Sequence, residues 1–254
     1  MLNSEFLKYG AVYLEGITVI HLDGDFDSVL ELLQGQVTSD CSKVTDQLGQ
    51  ASSLCDEKGF ILCNFDIIFD RKKWLIVIDE TSKHIFLNEM AKFLPFYKVS
   101  SKIINAQTIG ISRKKNDEML PNEHIILQFE GASLSLIINE NGQYQHEQDQ
   151  IKHSNWCINR KIMNDHQIIA DEMGKYRPHE VGQYLIRVSF KKGCFKGQEI
   201  IARMEYLGKV KKETRLIAYS NKNEISQFSI VGQTYQDQGK FFSSCLEKID
   251  NFCS

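Results

Sequence analysis

The amino-acid sequence predicts an α+β fold in which strands and helices are intermixed. Short runs rich in β-branched residues alternate with segments of helical periodicity, and no regular strand–helix–strand repeat connects them. Hydrophobic residues make up 42% of the 254 residues and charged residues 25%, which is the balance of a globular protein with a buried core. A chain of this length accommodates either one large domain or two to three small ones.

In the N-terminal part of the chain, β-branched and apolar runs predict strands. They cover residues 12–22 with a turn near Gly16, 74–78, 102–111, and 125–138 with a break at Gly131. Two segments between these runs have apolar residues at helical spacing. The first helix is predicted to be capped by Asp25 and to end at Gly35. The second is predicted to be capped by Thr81 and to carry an apolar stripe from Ile85 to Leu94.

The C-terminal part begins with a polar stretch, residues 139–152, which predicts a loop or an exposed hairpin. Glycine and proline within 173–181 predict irregular structure. A helix is predicted up to Gly208, which acts as its stop. The apolar face of this helix comprises Ile200, Ile201, Met204 and Leu207. Strand patterns follow over residues 215–219, 228–231 and 240–245.

Cysteine usage and the lack of long apolar runs limit the class of protein. The N-terminus has no basic region followed by an apolar stretch, and the chain has no run of about 18 apolar residues. The seven cysteines are odd in number and form no C-x-x-C pair, which gives little support to a disulfide framework, a zinc site or an iron–sulfur ligand set. We therefore expect a cytoplasmic protein with reduced thiols, no membrane segment and no bound metal.

The net charge of −3 conceals a basic segment. Residues 187–215 contain nine lysines and arginines against three glutamates, a local charge of +6, so the rest of the chain carries −9. A basic segment on an acidic protein predicts a binding surface for an anion, either a nucleic acid or a polycarboxylate. A solvated surface explains the same pattern equally well.

The most informative segment surrounds Cys194. Gly193 and Gly197 bracket a short turn in which the backbone can adopt positive φ or approach a ligand closely. A helix is predicted to begin just after Gly197, and Lys192 and Lys196 flank the cysteine. Helix dipole and ammonium groups both favour the thiolate, so the pKa of Cys194 is expected to be lowered if the side chain is partly exposed. The alternative is a small, buried hydrophobic residue.

Several segments together resemble one family. Residues 192–199, KGCFKGQE, are similar to the K-G-C-[FY]-x-G-Q-E signature of YgfZ-type folate-binding proteins, which are related to the glycine-cleavage T-protein. Residues 33–40 (LQGQVTSD) and 54–59 (LCDEKG) resemble two further segments of that family, and Trp156 matches a tryptophan that precedes the cysteine motif. The resemblance covers roughly residues 10–220, with the last forty residues weaker.

The resemblance implies a T-protein-like fold of two α+β modules plus a short C-terminal β-barrel, with tetrahydrofolate in a central cleft. It places the folate-binding region at residues 1–205 and the barrel-like module at 206–254. Cys194 is expected to be the reactive thiol. The residues expected to bind the cofactor are Trp156, Lys192, Gly193, Gly197, Gln198, Glu199 and Arg203.

The chain also departs from the family pattern. No tryptophan lies between Leu14 and Ile20, where some members contact folate with one, so that contact passes to Tyr13 or to aliphatic side chains. The carboxylate used by the T-protein is absent from the matching positions, because Cys63 and Asn64 stand near it and Asp66 comes two or three residues later. On an alternating strand this aspartate can face either side. Aminomethyl transfer in glycine cleavage is therefore disfavoured.

Three functions follow as hypotheses. The first is a folate-dependent accessory protein that supports assembly or repair of iron–sulfur clusters, and through them tRNA thiomethylation, with iron–sulfur or tRNA-modifying enzymes as partners. The second is a direct tRNA-binding protein that uses the basic segment to contact phosphates. The third is a folate-dependent methyl or aminomethyl transferase in which Asp66 is the acidic partner.

Overall fold

The computed structural model describes residues 4–140, 142, 150–208 and 212–248. Within these ranges the chain forms twelve strands and four α-helices. The strands are β1 (Gly10–Leu14), β2 (Ile17–Asp23), β3 (Gln50–Cys55), β4 (Ile61–Asp70), β5 (Lys73–Asp79), β6 (Ser100–Ile104), β7 (Gln107–Lys114), β8 (His124–Phe129), β9 (Ala132–Asn139), β10 (Lys212–Tyr219), β11 (Ser229–Asp237) and β12 (Lys240–Lys248). The helices are α1 (Phe26–Gln36), α2 (Lys83–Ala91), α3 (His153–Ile162) and α4 (Gln198–Leu207).

The strands form three antiparallel sheets. A five-stranded sheet has the order β3-β4-β5-β2-β6, a four-stranded sheet has the order β1-β7-β9-β8, and a three-stranded sheet has the order β10-β12-β11. In the described residues every pair of neighbouring strands in these sheets is antiparallel, and the mixture of such sheets with helices agrees with the predicted α+β class. Two of the predicted single strands, 12–22 and 102–111, are each two strands that belong to different sheets. Gly16, at φ +68°, makes the turn between the first two.

Two hydrophobic cores lie on the two faces of the five-stranded sheet. On one face, apolar residues of β2, β4 and β5 pack against α1 and α2. On the other face, residues such as Val19 and Val77 pack against Leu134 and Leu136 of the four-stranded sheet, and Trp156 of α3 joins this second core. The space between the two sheets is therefore where side chains from distant parts of the sequence meet.

The helix predictions are confirmed in part. Asp25 caps α1, since its side chain accepts a hydrogen bond from the Ser28 backbone N–H at 3.0 Å. The predicted cap of α2 was wrong by one residue: Thr81 donates to Asp79 instead, and Ser82 stands at the cap position without a capping bond. The apolar stripe does not continue to Leu94 in one helix, because Pro95 disfavours helical geometry at the residue before it and a 3₁₀ turn follows.

The C-terminal region departs most from expectation. The helix α4 ends at Gly208 as predicted, but of its predicted apolar face only Ile201 is buried, and Leu207 is 82% exposed. Over residues 212–248 the three strands form one sheet and no closed barrel is found. Of the stretch 139–152, residues 141 and 143–149 lie outside the described residues.

Two further expectations concern membranes and metals. None of the helices in the described ranges combines the length and the apolar composition that a membrane crossing requires. Within the same residues, no group of three or more histidine, cysteine or carboxylate side chains is arranged to hold a metal ion. The six cysteines that can be placed are all free thiols.

Candidate functional site

The loop that carries Cys194 is bound to the segment that follows α1. The Lys192 ammonium donates to the backbone carbonyls of Val37 and Ser39, each at 2.8 Å. The Lys196 backbone N–H donates to the Gly35 carbonyl at 3.1 Å. Two of the segments that carry the family resemblance, 33–40 and 192–199, are therefore in direct contact, although about 150 residues separate them in the sequence.

Gly197 contacts the third segment that carries the family resemblance, residues 54–59. It adopts φ +81° at the start of α4, and a Cβ added there would lie 2.4 Å from the carbonyl oxygen of Asp56. Only glycine fits this contact between the Cys194 loop and the turn at Asp56–Gly59. Gly193 was expected to allow positive φ or a close approach in the same way, but it does neither: its φ is not positive, and no atom lies within 4 Å of an added Cβ.

Cys194 itself is exposed. The next residue, Phe195, is buried, and the Lys192 ammonium lies 5.2 Å from the centre of its ring. Lys196 forms ion pairs with Glu89 at 3.0 Å and Glu57 at 3.1 Å. Anchored residues on both sides thus present the thiol to solvent, which excludes the alternative of a buried hydrophobic cysteine.

Much of the basic segment is neutralised in the structure. Besides Lys196, Arg203 pairs with Glu199 at 3.1 Å and Arg215 pairs with Glu247 at 3.0 Å. Burial lowers the pKa of Lys192 to about 8. Glu199 is already included in the local charge of +6, but the glutamates that pair with Lys196 and Arg215 lie outside the counted segment, so the count overstates the positive charge that this surface presents.

A cavity of about 520 Å³ lies between the two larger sheets, α3 and β11. Trp156 is part of its wall and is 2% exposed. One side of the indole packs on Gly110, where an added Cβ would lie 2.8 Å from the ring. Leu14 and Ile17 line the cavity near the position at which some family members carry a tryptophan, whereas Tyr13 is not among the lining residues. At this position the wall of the cavity is therefore aliphatic.

A buried ionic network forms the floor of this cavity. The Arg160 guanidinium donates to both carboxylate oxygens of Asp66, at 2.7 and 2.9 Å, and also to Asp165 at 2.7 Å. Arg187 donates to both oxygens of Asp165, at 2.6 and 2.9 Å. Asp66 and Asn64 are two residues apart on β4 and both line the cavity, so the strand alternation places Asp66 towards the ligand space.

The electrostatics of the network follow from burial and charge. Burial opposes ionisation of Asp165, but the guanidinium groups of Arg187 and Arg160 outweigh it and hold the pKa of that carboxyl below its usual range. Lys161, also on the cavity wall, forms no ion pair with any described residue, and burial lowers its pKa to about 8. Burial, with Lys161 nearby, lowers the pKa of His166 to about 3, so this imidazole is neutral.

The sequence did not reveal these residues. Arg160, Lys161 and Asp165 belong to none of the segments that resemble the family, and hydropathy places such charged side chains at the surface. The one available signal was the pair of apolar residues Trp156 and Ile158 shortly before them. Two apolar residues at this spacing point to opposite sides of a helix and so indicate a helix that is buried on most of its circumference.

The predicted site residues do not meet in one cavity. Trp156 lines the cavity described above, whereas Cys194 does not. The predicted residues that lie outside this lining are Lys192, Gly193, Cys194, Gln198, Glu199, Arg203 and Gly197. A second cavity of about 600 Å³ adjoins the Cys194 loop, with Ser189, Phe190 and Lys191 in its wall. His179 is buried and hydrogen-bonded to Glu205, which lines this second cavity, at 2.9 Å.

Comparison with known proteins supports the resemblance seen in the sequence. No family model matches the chain. It is 26% identical over 232 residues to the tRNA-modifying protein YgfZ of Colwellia psychrerythraea, covering 82% of this chain and 68% of that protein. It is 21% identical over 246 residues to the tRNA-modifying protein YgfZ of Vibrio atlanticus, covering 85% and 74%. These relatives confirm the similarity to YgfZ-type proteins.

The fold is similar to that of a solved aminomethyltransferase. The structure superimposes on the glycine cleavage system aminomethyltransferase T from Bartonella henselae with a TM-score of 0.61. The match covers 98% of this chain and 81% of that one at 10% sequence identity. The architecture is therefore aminomethyltransferase-like, and the activity has to be argued from the site.

Proposed function

We propose that this chain, as a relative of the YgfZ-type proteins, binds tetrahydrofolate in the cavity beside Trp156 and supports tRNA modification as an accessory protein. The names of its relatives and its aminomethyltransferase-like fold support the proposal. The observation that carries it is a cavity of about 520 Å³ with an indole in its wall and a buried aspartate–arginine pair at its floor.

The lining fits a pterin in size and in chemistry. Small-molecule sites typically enclose about 300–1,000 Å³ and combine apolar walls with a few placed polar groups. Trp156, Leu14 and Ile17 supply the apolar walls. Each oxygen of Asp66 already accepts from Arg160, yet a carboxylate oxygen can accept a second hydrogen bond, so Asp66 can receive a pterin N–H while Arg160 fixes its orientation. Bound tetrahydrofolate would supply a carrier for one-carbon units.

The position of Cys194 favours an accessory role over catalysis on the folate. Its thiol is exposed on an anchored loop and lies outside the lining of the Trp156 cavity. An exposed thiol can be reached by a second protein, and the thiolate is the form that acts as nucleophile and metal ligand. We propose that Cys194 acts on iron–sulfur enzymes of tRNA modification during cluster assembly or repair, in a reducing cytoplasm. Lys192, Gly197 and the other predicted residues of this loop would then hold the thiol in place.

We also propose that residues 206–254 form a module separate from residues 1–205. All three strands of the C-terminal sheet come from residues 212–248 and pair only with one another within the described chain. The sheet contacts the rest of the protein at several points, one of which is α3, where the Lys161 ammonium donates to Ser244 at 2.7 Å. A complete barrel is not required for this contact.

Folate binding is tested by thermal unfolding with and without tetrahydrofolate. At a ligand concentration of about 100 times Kd the stabilisation is about 2.7 kcal/mol, which raises Tm by roughly 5–10 °C for a chain of this size. Trp156→Phe should lose most of the shift. Trp74→Phe is the matched control, because Trp74 is equally buried and lies outside the cavity lining. An unchanged Tm in the wild type, or equal shifts in both variants, would refute folate binding beside Trp156.

The thiol is tested by complementation of a bacterial strain that lacks its YgfZ-type protein. Cys194→Ser should leave Tm unchanged and abolish complementation, while Cys63→Ala should complement in proportion to the amount of folded protein. Full complementation by Cys194→Ser would end the proposed role of the thiol.

A transferase acting on another amine is the second candidate, because Asp66 does line the cavity. Turnover of methylenetetrahydrofolate with a panel of secondary amines would be lost in Asp66→Asn if this chain is such a transferase.

Direct tRNA binding has less support, since ion pairs neutralise Lys196, Arg203 and Arg215. A gel shift with tRNA that weakens steeply as the salt concentration rises would support direct tRNA binding.

A further inference from the structure

We propose that Lys161 is a reactive amine that captures a small aldehyde inside the cavity, formaldehyde in particular, and that Cys157 closes the captured carbon into a methylene bridge. The proposal rests on the proposed one-carbon role of the cavity and names the form in which this protein would take up such a unit. Neither residue belongs to the segments that carry the family resemblance.

The two side chains share one face of α3. Lys161 follows Cys157 by four residues, which is the spacing at which side chains on a helix are neighbours, and both line the cavity. The Lys161 ammonium donates to Ser244 at 2.7 Å and lies 5.7 Å from the centre of the Tyr235 ring. Tyr235 also lines the cavity. The arrangement thus brings an amine and a thiol into one enclosed space.

Lys161 has no counter-ion in the part of the chain that the structure describes. It is 4% exposed, and among the described residues no carboxylate oxygen lies within 4 Å of its nitrogen. A buried ammonium without an ion partner is unfavourable, so the neutral amine is favoured over its charged form. With a pKa of about 8, about a quarter of the amine is neutral at pH 7.5, against about one in a thousand for a surface lysine.

Neighbouring groups accommodate the neutral amine. Ser244 Oγ lies 2.9 Å from His166 Nδ1, so the serine hydroxyl can donate to the neutral imidazole while it accepts from Lys161. The titratable groups that face the amine are Cys157 on α3, Asp165 and His166 after it, Glu172, Tyr235 on β11 and Cys245 on β12.

The chemistry balances without an oxidant or a reductant. The neutral Lys161 amine attacks the aldehyde carbon, a C–N bond forms and a proton moves from nitrogen to oxygen to give a carbinolamine. Loss of hydroxide as water, with one proton taken up, leaves an iminium ion. The Cys157 sulfur then adds to the iminium carbon and releases its proton. Amine, formaldehyde and thiol become an N–CH₂–S bridge and one water.

The test is peptide mapping by mass spectrometry after exposure of the folded protein to less than one equivalent of formaldehyde, without folate. One sample is left unreduced to detect the bridge, and one is treated with cyanoborohydride, which converts the Lys161 iminium into a methylamine. Lys161 should be modified at least about tenfold more than any surface lysine at pH 7.5, given a neutral fraction on the order of 100-fold larger. Its modification should rise through pH 8, whereas that of surface lysines rises through pH 10.

Variants separate the two residues. Cys157→Ser should keep the methylamine at Lys161 and lose the bridge, and Lys161→Met should lose both. Lys192→Met is the matched control, since Lys192 has the same lowered pKa of about 8 and lies outside the cavity lining, so the Lys161 product should be retained. If Lys161→Met does not fold, the peptide map of the wild-type protein alone tests whether Lys161 is the modified residue.

Modification of surface lysines with Lys161 left intact would overturn the proposal. A separate arm adds 5-formyltetrahydrofolate, whose blocked N5 prevents it from trapping formaldehyde as a methylene bridge, and this ligand should protect Lys161 by occupying the cavity. If Lys161 reacts equally with and without this ligand, folate does not bind in this cavity, but the amine chemistry still holds. Failure of folate binding and failure of the Lys161 proposal are therefore distinguishable.

Discussion

Replacing Asp165 by asparagine should destabilise the protein strongly, because it leaves two guanidinium groups around a single remaining carboxylate. Asp165 is 1% exposed, Arg187 0% and Arg160 5%. The aspartate accepts from Arg187 at 2.6 and 2.9 Å and from Arg160 at 2.7 Å, and Asp66 accepts from Arg160 alone within hydrogen-bond distance. The neutral amide also turns N–H donors towards the arginines, so the charges and the hydrogen bonds are both disrupted.

The expected loss in the free energy of unfolding is about 3–5 kcal/mol, the usual cost of removing one partner from a buried ion pair. For a chain of this length each kcal/mol corresponds to about 2–4 °C, so Tm should fall by roughly 6–20 °C. Urea unfolding of wild type and Asp165→Asn, followed by circular dichroism, measures the difference. Glu247→Gln is the control, because it removes one partner of the exposed pair with Arg215 and should cost no more than about 1 kcal/mol.

The same network predicts a pH dependence with a defined sign. The folded-state pKa of Asp165 lies below the ordinary value of about 3.9, so between the two values the unfolded chain binds the additional proton. The contribution of Asp165 to stability is therefore present above about pH 4 and is lost as the pH falls through the folded-state value. The Asp165→Asn variant should lack this part of the acid dependence. A variant that matches the wild type within 1 kcal/mol at pH 7 would refute the account of the network.

Other predictions concern the Cys194 loop. Gly197→Ala should lower the free energy of unfolding by about 1–3 kcal/mol in urea, because the new side chain would combine φ +81° with a Cβ 2.4 Å from the Asp56 carbonyl. The control, Gly193→Ala, should change it by less than about 0.5 kcal/mol, because nothing lies within 4 Å of an added Cβ there. Equal losses in the two variants would contradict this reasoning. Lys192→Met should remove two hydrogen bonds to the Val37 and Ser39 carbonyls and loosen the loop, so limited proteolysis should cut near residue 194 faster than in the wild type. An unchanged cleavage rate would show that these bonds do not hold the loop.

Local periodicity was sufficient to predict most strands and helices. Asp25 at the start of α1 and Gly208 at the end of α4 were both identified, because a cap and a stop depend on neighbouring residues only. The assignment of strands to sheets was not predictable in this way. A turn at Gly16 looks the same in sequence whether the next strand returns to the same sheet or, as here, enters another.

The site was predicted less completely than the fold. Cys194 and Trp156 were both predicted through the family resemblance, but that resemblance does not fix the space between them: Trp156 lies in the cavity wall and Cys194 lies outside it. Arg160, Asp165 and Arg187 were missed for a physical reason: each is buried only because the others are present, and such mutual compensation between distant residues leaves no mark on hydropathy.

The contact of the C-terminal sheet with the cavity has a thermodynamic consequence. Gln233 and Tyr235 form part of the cavity wall, and Gly232, at φ +67°, donates its N–H to Glu172 at 2.9 Å beside that wall. A molecule held in the cavity touches both the sheet and the body of the protein, so its binding energy is available only while the two are joined. By reciprocity, occupancy should shift the equilibrium away from detachment of this sheet, and detachment should weaken the binding of the occupant.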